Sequence, residues 1–335
     1  MSNSTHPFVS VLTPTYNRRR FIPFAIKFFK AQSYPQDRME WIIMDDGTDK
    51  VGDLFDPKKT GLKNVRYVAV PNGEKLKIGA KRNRMNEMAK GDIIVCMDDD
   101  DYYPPDRVKA AVFKLRSGLK NKIPMVAASE LFLYFTDRNE VWKAGPYNQN
   151  HGTNGTMAYW RTYFKDHKYD ETVDRAEERS FTNEWKTPLL QLNGMETMLV
   201  MCHNFNTFDK RRLIENPNPV FQKTTMKLSF WIKDKAARTF YESLRAEAIP
   251  YTGQLCLIPD ASGNAIGVVA PNSADLSIGN PISLIEKTEK KEEIKETEEK
   301  DVAVVDVSDA SAEVAPATEA AGSDETKVDT ITHTA

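Results

Sequence analysis

Over the first 135 residues, short continuous apolar runs alternate with stretches in which apolar residues recur every three or four positions. The runs "FVSVLTPT" (8–15), "EWIIMDD" (40–46), "NVRYVAV" (64–70), "DIIVCMD" (92–98) and "MVAASELFLYF" (125–135) predict strands. Between them, "RRFIPFAIKFFKAQ" sets Phe21, Phe24 or Ala25, Phe28 and Phe29 at helical spacing. "IGAKRNRMNEMAKG" predicts a second helix. "DRVKAAVFKLRSG" predicts a third, with Val108, Ala111, Val112 and Leu115 on one face, Asp106 as candidate N-cap and Gly118 as its stop. Continuous apolar strands interleaved with amphipathic helices predict an α/β fold, a mainly parallel sheet with helices on both faces.

Ligands of such sheets bind beyond the carboxyl ends of the strands. Three polar turns fall at that rim: Thr13 to Asn17, Met44 to Asp49, and Asp98 to Tyr103. None carries the Gly-x-Gly-x-x-Gly or Gly-Lys-Ser pattern that lets backbone amides cradle phosphates. Any phosphate would need another device.

After Phe135 the alternation breaks down. "DRNEVWKAG" predicts a turn and a strand, and residues 216–282, with "LSFWIKDKAARTFYESLRAE", predict a helix-bearing extension that packs on the cleft or makes a subunit contact. From 283 to 335 the chain is predicted to be an acidic disordered tail, since Ala, Ser, Thr and acids bury too little apolar surface to order it. From Glu286 onward there are 15 acidic and 6 basic residues, which leaves the preceding body about +7 against a net charge of -2. A basic body suits a phosphate-bearing ligand. At 40% hydrophobic and 28% charged residues the chain can build a sizeable core. It has no apolar run long enough to span a membrane and no signal-peptide pattern at its start, and its three cysteines, Cys96, Cys202 and Cys256, are scattered. These features predict a reduced, soluble, cytoplasmic protein with no transmembrane segment and no nucleic-acid partner.

Four consecutive aspartates, Asp98 to Asp101, end the fourth apolar run. Adjacent carboxylates repel one another and are costly to bury unpaired. The cluster is therefore either a solvated turn or a seat for something positive. With no phosphate-cradling glycines, a divalent cation, Mn2+ or Mg2+, bridging carboxylates and phosphates is the expected occupant. If the strand pleat continues, Asp98 and Asp100 share one face while Asp99 and Asp101 share the other.

Taken together, "VSVLTPTYNR", "IIMDDGTD", "GAKRNRMNEMAKGDIIVCMDDDDYYPPDRV" and a later acidic pair resemble the family-2 glycosyltransferases of GT-A fold, a Rossmann-like architecture. The resemblance implies a GT-A domain over 1–215, with a nucleotide-sugar half at 8–126 and an acceptor half at 127–215. It implies a nucleotide-sugar donor, UDP-linked, and inverting, metal-dependent transfer to an unidentified acceptor (glycan, lipid, protein or small molecule). By the same resemblance Thr15, Tyr16 and Asn17 receive the nucleobase. Asp46 accepts from a base N–H while Asp45 is structural, and Arg82 reaches a uracil or diphosphate oxygen beside a solvated Lys81. Asp98 and Asp99 contact the ribose or the metal, and Asp100 is the best metal ligand. The pair Glu177–Glu178 stands where the catalytic base is expected, with Glu178 the base and Glu177 the runner-up. His203 is a candidate metal or diphosphate ligand, set against an ordinary structural histidine. The aromatic-rich stretch 155–171 is expected to build an acceptor cleft. Two other readings compete: a sugar-phosphate nucleotidyltransferase, weakened because "PTYNRRR" carries no glycine, and a non-catalytic nucleotide-binding assembly protein.

Overall fold

The computed structural model describes residues 6–71, 74–215 and 219–249, together with the backbone of 256–259 and 265–268. The predicted tail, 283–335, lies outside the described residues. Eleven strands make two sheets: β1 (Val9–Thr15), β2 (Met39–Asp45), β3 (Val65–Ala69), β4 (Ile93–Cys96), β5 (Met125–Ala127), β6 (Leu131–Phe135), β7 (Glu140–Ala144), β8 (Ala158–Trp160), β9 (Leu189–Gln191), β10 (Leu199–Cys202) and β11 (Phe221–Lys223). The larger sheet runs in the order β3-β2-β1-β4-β8-β5-β9 and the smaller β10-β6-β7-β11. In the larger sheet only β8 is antiparallel to its neighbours. The carboxyl ends of β1, β2, β3, β4, β5 and β9 therefore share one rim.

Strands β1, β2 and β4 read as unbroken apolar runs because both faces are covered, and every residue of the three is buried. The helix Ile22–Lys30 explains its own crowding of phenylalanines. Ala25 and Phe29 enter the core under β1 and β2, while Phe28 joins a separate aromatic core with Phe21, Tyr102, Trp231 and Tyr241. Phe29 stacks on Trp41, centroids 4.5 Å apart, and Phe24 on Phe240 at 4.4 Å. The extension thus packs on this helix through residues 228–244, and Tyr241 donates to the carbonyl of Asp100 at 3.2 Å. A separate antiparallel pair joins Cys256–Pro259 to Ala265–Val268.

Three local expectations are corrected. The run 125–135 is two strands in two sheets, β5 and β6, parted at 128–130, because an apolar run does not show where the chain changes sheet. Asp106 makes no cap bond to the helix Arg107–Ser117; Gln32 Oε1 accepts from the amide of Val108 at 3.0 Å, and Asp106 takes the hydroxyl of Ser33 instead. The aromatics of 155–171 form core, not cleft: Tyr159, Tyr163, Phe164 and Tyr169 are buried with Phe181 under the larger sheet.

Candidate functional site

In the larger sheet the chain order reverses between β1 and β4, and the turns leaving these two strands face each other across the crevice where ligands of open α/β sheets bind. Thr13 Oγ1 ties them together by donating to the carbonyl of Met97 at 2.7 Å. Beyond β1, Asn17 adopts a left-handed conformation at φ 52°. Its Oδ1 accepts from the amides of Thr48 (2.8 Å) and Asp49 (3.0 Å), so it clamps the β2 turn. Asp45 is structural, as expected, and accepts from the amides of Gly47 and Val51 and from Tyr67. Tyr16 lies partly exposed at the rim with the Lys75 ammonium 4.5 Å from its ring centroid.

Asp46 is buried, accepts from the amide of Leu76 at 2.9 Å and forms an ion pair with Lys81, which also donates to the carbonyl of Thr15 at 3.1 Å. Lys81 is therefore not a solvated helix residue. Burial lowers its pKa against the pull of the Asp46 carboxylate. The ammonium pins the ends of β1 and β2 to the helix Ile78–Met88. Helical spacing could not reveal this, because the inward face of a helix is decided by what packs on it.

Beyond β4 the extended strand stops at Cys96. The pleat does not run through the aspartates, and in place of the expected pairing of alternate carboxylates the outer two find separate partners while the inner two share one cation. Asp98, partly exposed, receives Arg82 Nη2 at 3.2 Å. Asp99 and Asp100 share the buried guanidinium of Arg18, whose Nε lies 3.9 Å and 3.6 Å from their nearest oxygens while Nη2 bonds the carbonyl of Phe205. Asp100 also meets His203 Nε2 at 3.4 Å and the Asn206 amide at 3.2 Å. Asp101 turns away and accepts from the amide of Met201 at 2.7 Å, helping the Tyr102–Leu199 bridge fasten the turn to β10. Its protonated form is strongly favoured by burial.

These surroundings split the pKa values of neighbouring carboxyls. Burial and the adjacent Asp100 charge push Asp99 up to about 7, and burial raises Asp98 against the charge of Arg82. Burial also works against Asp100, but the hydrogen bond from His203 and the charge of Arg18 hold it below the ordinary carboxylate range. Burial lowers the pKa of His203, whose Nδ1 accepts from the amide of Phe205 and whose ring stacks on Phe21 at 4.7 Å. The neutral ring thus turns its Nε2 toward Asp100.

Arg18 is the cation of this cluster that the sequence alone does not single out. The available signal was charge balance: four aspartates at a buried strand end demand cations, and "YNRRR" leaves the neighbouring strand. Arg19 and Arg20 serve elsewhere, on Asp49 with Asp53 and on Glu247.

Arg82 does not stand free to meet a ligand. Its Nε donates to Glu177 Oε1 at 2.7 Å while Nη2 holds Asp98, so one buried side chain links the acid turn to the short helix Glu177–Phe181. Glu177 is thereby engaged. Glu178 has no ion pair among the described residues, and burial of its carboxyl together with the Glu177 charge pushes it up to about 8. A carboxyl held near neutrality is suited to general acid–base work.

Among the described residues no group of three or more His, Cys, Asp and Glu side chains is arranged to hold a metal. His203 Nδ1 accepts from the Phe205 amide, so Nε2 bears the ring proton toward Asp100, 3.4 Å away, and the oxygen donors left are Asp100 with Asp99 Oδ2 and Thr15 Oγ1, the last two buried without a hydrogen-bond partner among the described residues. That set fits an ion held by one or two side chains and completed by phosphate oxygens and water, the habit of Mg2+. No described helix is long and apolar enough to cross a membrane.

Residues 10–173 match the family model described as glycosyl transferase family 2. A probable glycosyltransferase of Bacillus subtilis, YdaM, is 36% identical over 119 residues, covering 34% of this chain and 27% of that protein. An uncharacterized glycosyltransferase of Mycoplasma pneumoniae is 32% identical over 97 residues, covering 28% of this chain and 31% of the relative. The chain therefore spans about a third or less of the length of these curated relatives. Among solved structures, a mannosyltransferase of Pyrobaculum calidifontis in complex with GDP-Man and Mn2+ superposes with a TM-score of 0.47 at 13% identity, covering 88% of this chain and 82% of that one. That likeness carries no weight for the chemistry.

Proposed function

We propose, from the match of residues 10–173 to the model for glycosyl transferase family 2, that the chain transfers a sugar from a nucleotide-sugar donor, UDP-linked, to an acceptor hydroxyl with inversion. One observation carries this reading: Arg82 holds Asp98 and Glu177 together, so the acid turn at the β1/β4 crevice and the helix bearing Glu178 form one charged assembly. Residues 8–126 form the donor half and 127–215 the acceptor half. Thr15 and Tyr16 line the nucleobase side of the crevice. Asp46 and Asn17 hold its walls in place.

In the reaction the acceptor O–H gives its proton to Glu178 as its oxygen attacks the anomeric carbon. The bond from that carbon to the diphosphate oxygen breaks, and the diphosphate leaves with the electron pair. A single displacement inverts the centre. A positioned base contributes roughly 10²–10⁴-fold. Asp100 and Asp98 would hold a divalent cation, Mn2+ or Mg2+, which when bound supplies charge stabilisation for the departing diphosphate, while His203, whose Nδ1 accepts from the Phe205 amide, turns its Nε2–H to Asp100 and is a positioning residue rather than a ligand. Arg18 keeps Asp100 ionised for that task and offsets its repulsion with Asp99.

The test is a screen of UDP- and GDP-sugars for metal-dependent donor hydrolysis, followed by an acceptor array with product stereochemistry read by NMR. Turnover of a UDP-sugar with an inverted product supports the whole reading. Turnover of GDP-sugars only corrects the nucleotide, and pyrophosphate release from UTP and a sugar phosphate in its place overturns the reaction class.

A further inference from the structure

Tyr147, His151 and Trp185 come from two distant loops and form an aromatic row. The His151 ring lies 4.6 Å from the Tyr147 ring and 4.6 Å from the Trp185 ring, centroid to centroid, tilted 44° and 36° to them. Tyr147 is exposed, His151 and Trp185 partly so. His151 Nδ1 is nevertheless buried and has no hydrogen-bond partner among the described residues.

The row sits on the same rim as the acid turn. The loop 145–156 crosses the carboxyl end of β5: the amide of Ala128 donates to Thr156 Oγ1, and Gly152 packs so tightly that a Cβ there would lie 2.2 Å from that of Ala127. At its far end a Cβ on Gly155 would lie 2.9 Å from Asp98 Oδ2, so this one loop runs from the acid turn to the row. Gln191, closing β9, donates to the carbonyl of His151 at 2.9 Å. Only β8 separates β4 from β5, so the row begins about two strand spacings, roughly 10 Å, along the rim from the acid turn.

The other loop ties the row to the base helix. Asn183, Glu184 and Trp185 are successive non-glycine residues in the left-handed region, φ 51°, 55° and 59°, an arrangement L residues adopt only when their surroundings impose it. The imposing contacts lead to Glu178: Thr182 Oγ1 donates to the carbonyl of Glu178 at 2.8 Å and accepts from the amide of Trp185 at 3.3 Å.

We propose that Tyr147, His151 and Trp185 form a platform for a pyranose ring, and hence that the acceptor is a saccharide. The inference rests on the glycosyltransferase reading above and adds the acceptor's chemical class. Sugar rings present a patch of C–H groups that packs on aromatic faces, ringed by hydroxyls that need hydrogen bonds. Asn148, Gln149, Asn150 and Asn183 supply amides around the row, and 145–156 contains no charged side chain when His151 is neutral. Burial lowers the pKa of His151, which keeps it so. An anionic headgroup finds no cation in that loop, and a lipid chain finds no aliphatic wall there. A short saccharide reaching from the row toward the acid turn would bring its terminal hydroxyl to Glu178.

The test is saturation-transfer NMR on the full chain with chitotriose, cellotriose, maltotriose and mannotriose, and with hexanol as a hydrocarbon probe. Expected is saturation of ring C–H protons of at least one trisaccharide, weakened at least tenfold in Trp185→Ala and restored to within threefold by Trp185→Phe. Tyr147→Ala, at an exposed ring, reports independently should Trp185→Ala fail to fold. Absence of saccharide saturation in the wild type, equal saturation in both alanine variants, or saturation of hexanol alone overturns the proposal. UDP titration of the same samples by calorimetry keeps the two readings apart. Loss of UDP binding in the wild type speaks against the glycosyltransferase reading, while the saccharide signal still decides the platform.

Discussion

Arg82 and Glu177 stand 2.7 Å apart, both buried, and the other arm of the same guanidinium grips Asp98. Two segments 95 residues apart are joined at one charge. Removing one partner of a buried pair costs more than the pair contributes, because the survivor keeps its desolvation penalty. Arg82→Met is expected to lower unfolding free energy by about 3–5 kcal/mol in a urea titration. Arg82→Lys retains the charge but not the fork and falls between. A loss below about 1 kcal/mol in Arg82→Met would show that the network is slack.

Lys81 and Asp46 offer a cleaner case, since both are buried. Lys81→Met alone strands a carboxylate and is expected to cost about 3–5 kcal/mol. The double variant Lys81→Met with Asp46→Leu is expected to regain a large part of that loss, measured as a coupling energy in a double-mutant cycle. Additive losses would contradict the pairing.

Glu178→Gln is expected to bind UDP as the wild type does while transfer falls roughly 10²–10⁴-fold. Glu177→Gln acts through Arg82 and is expected to lower the melting temperature. Retained transfer in Glu178→Gln would reassign the base.

The raised pKa of Glu178 fixes the direction of two pH effects. As a base it works ionised, so transfer is expected to climb with pH and level off above about 8, a limb absent from Glu178→Gln. Folded, the group holds its proton more tightly than unfolded. Its contribution to stability is therefore present below the ordinary carboxylate value and fades as pH rises toward about 8. A transfer rate flat from pH 6.5 to 9 would remove Glu178 from the mechanism.

Asp100→Ala deletes one of two adjacent like charges, so the chain is expected to remain folded with Asp99 still facing Arg18. Donor turnover and metal-dependent UDP binding are expected to vanish, read by calorimetry with and without Mn2+. Full wild-type activity in EDTA would end the metal proposal.

The alternation of apolar runs determined the strands β1 to β4 and the helices between them, because a strand covered on both faces must be apolar throughout and an amphipathic helix must repeat every three or four residues. The acid run after β4 was equally legible as a place that demands positive partners, since adjacent carboxylates repel one another and are costly to bury unpaired. Which cation answers each acid was not. Arg18, Arg82 and His203 reach the aspartates from 82, 16 and 103 residues away, and periodicity carries no information about such pairings. The same limit explains Lys81, which reads as a surface base and is a buried strut, and the aromatics of 155–171, whose composition suits a cleft as well as a core. Local spacing fixes what a segment can become. Only the closing of the sheets decides which charges are taken out of water together, and at this rim that decision sets the chemistry.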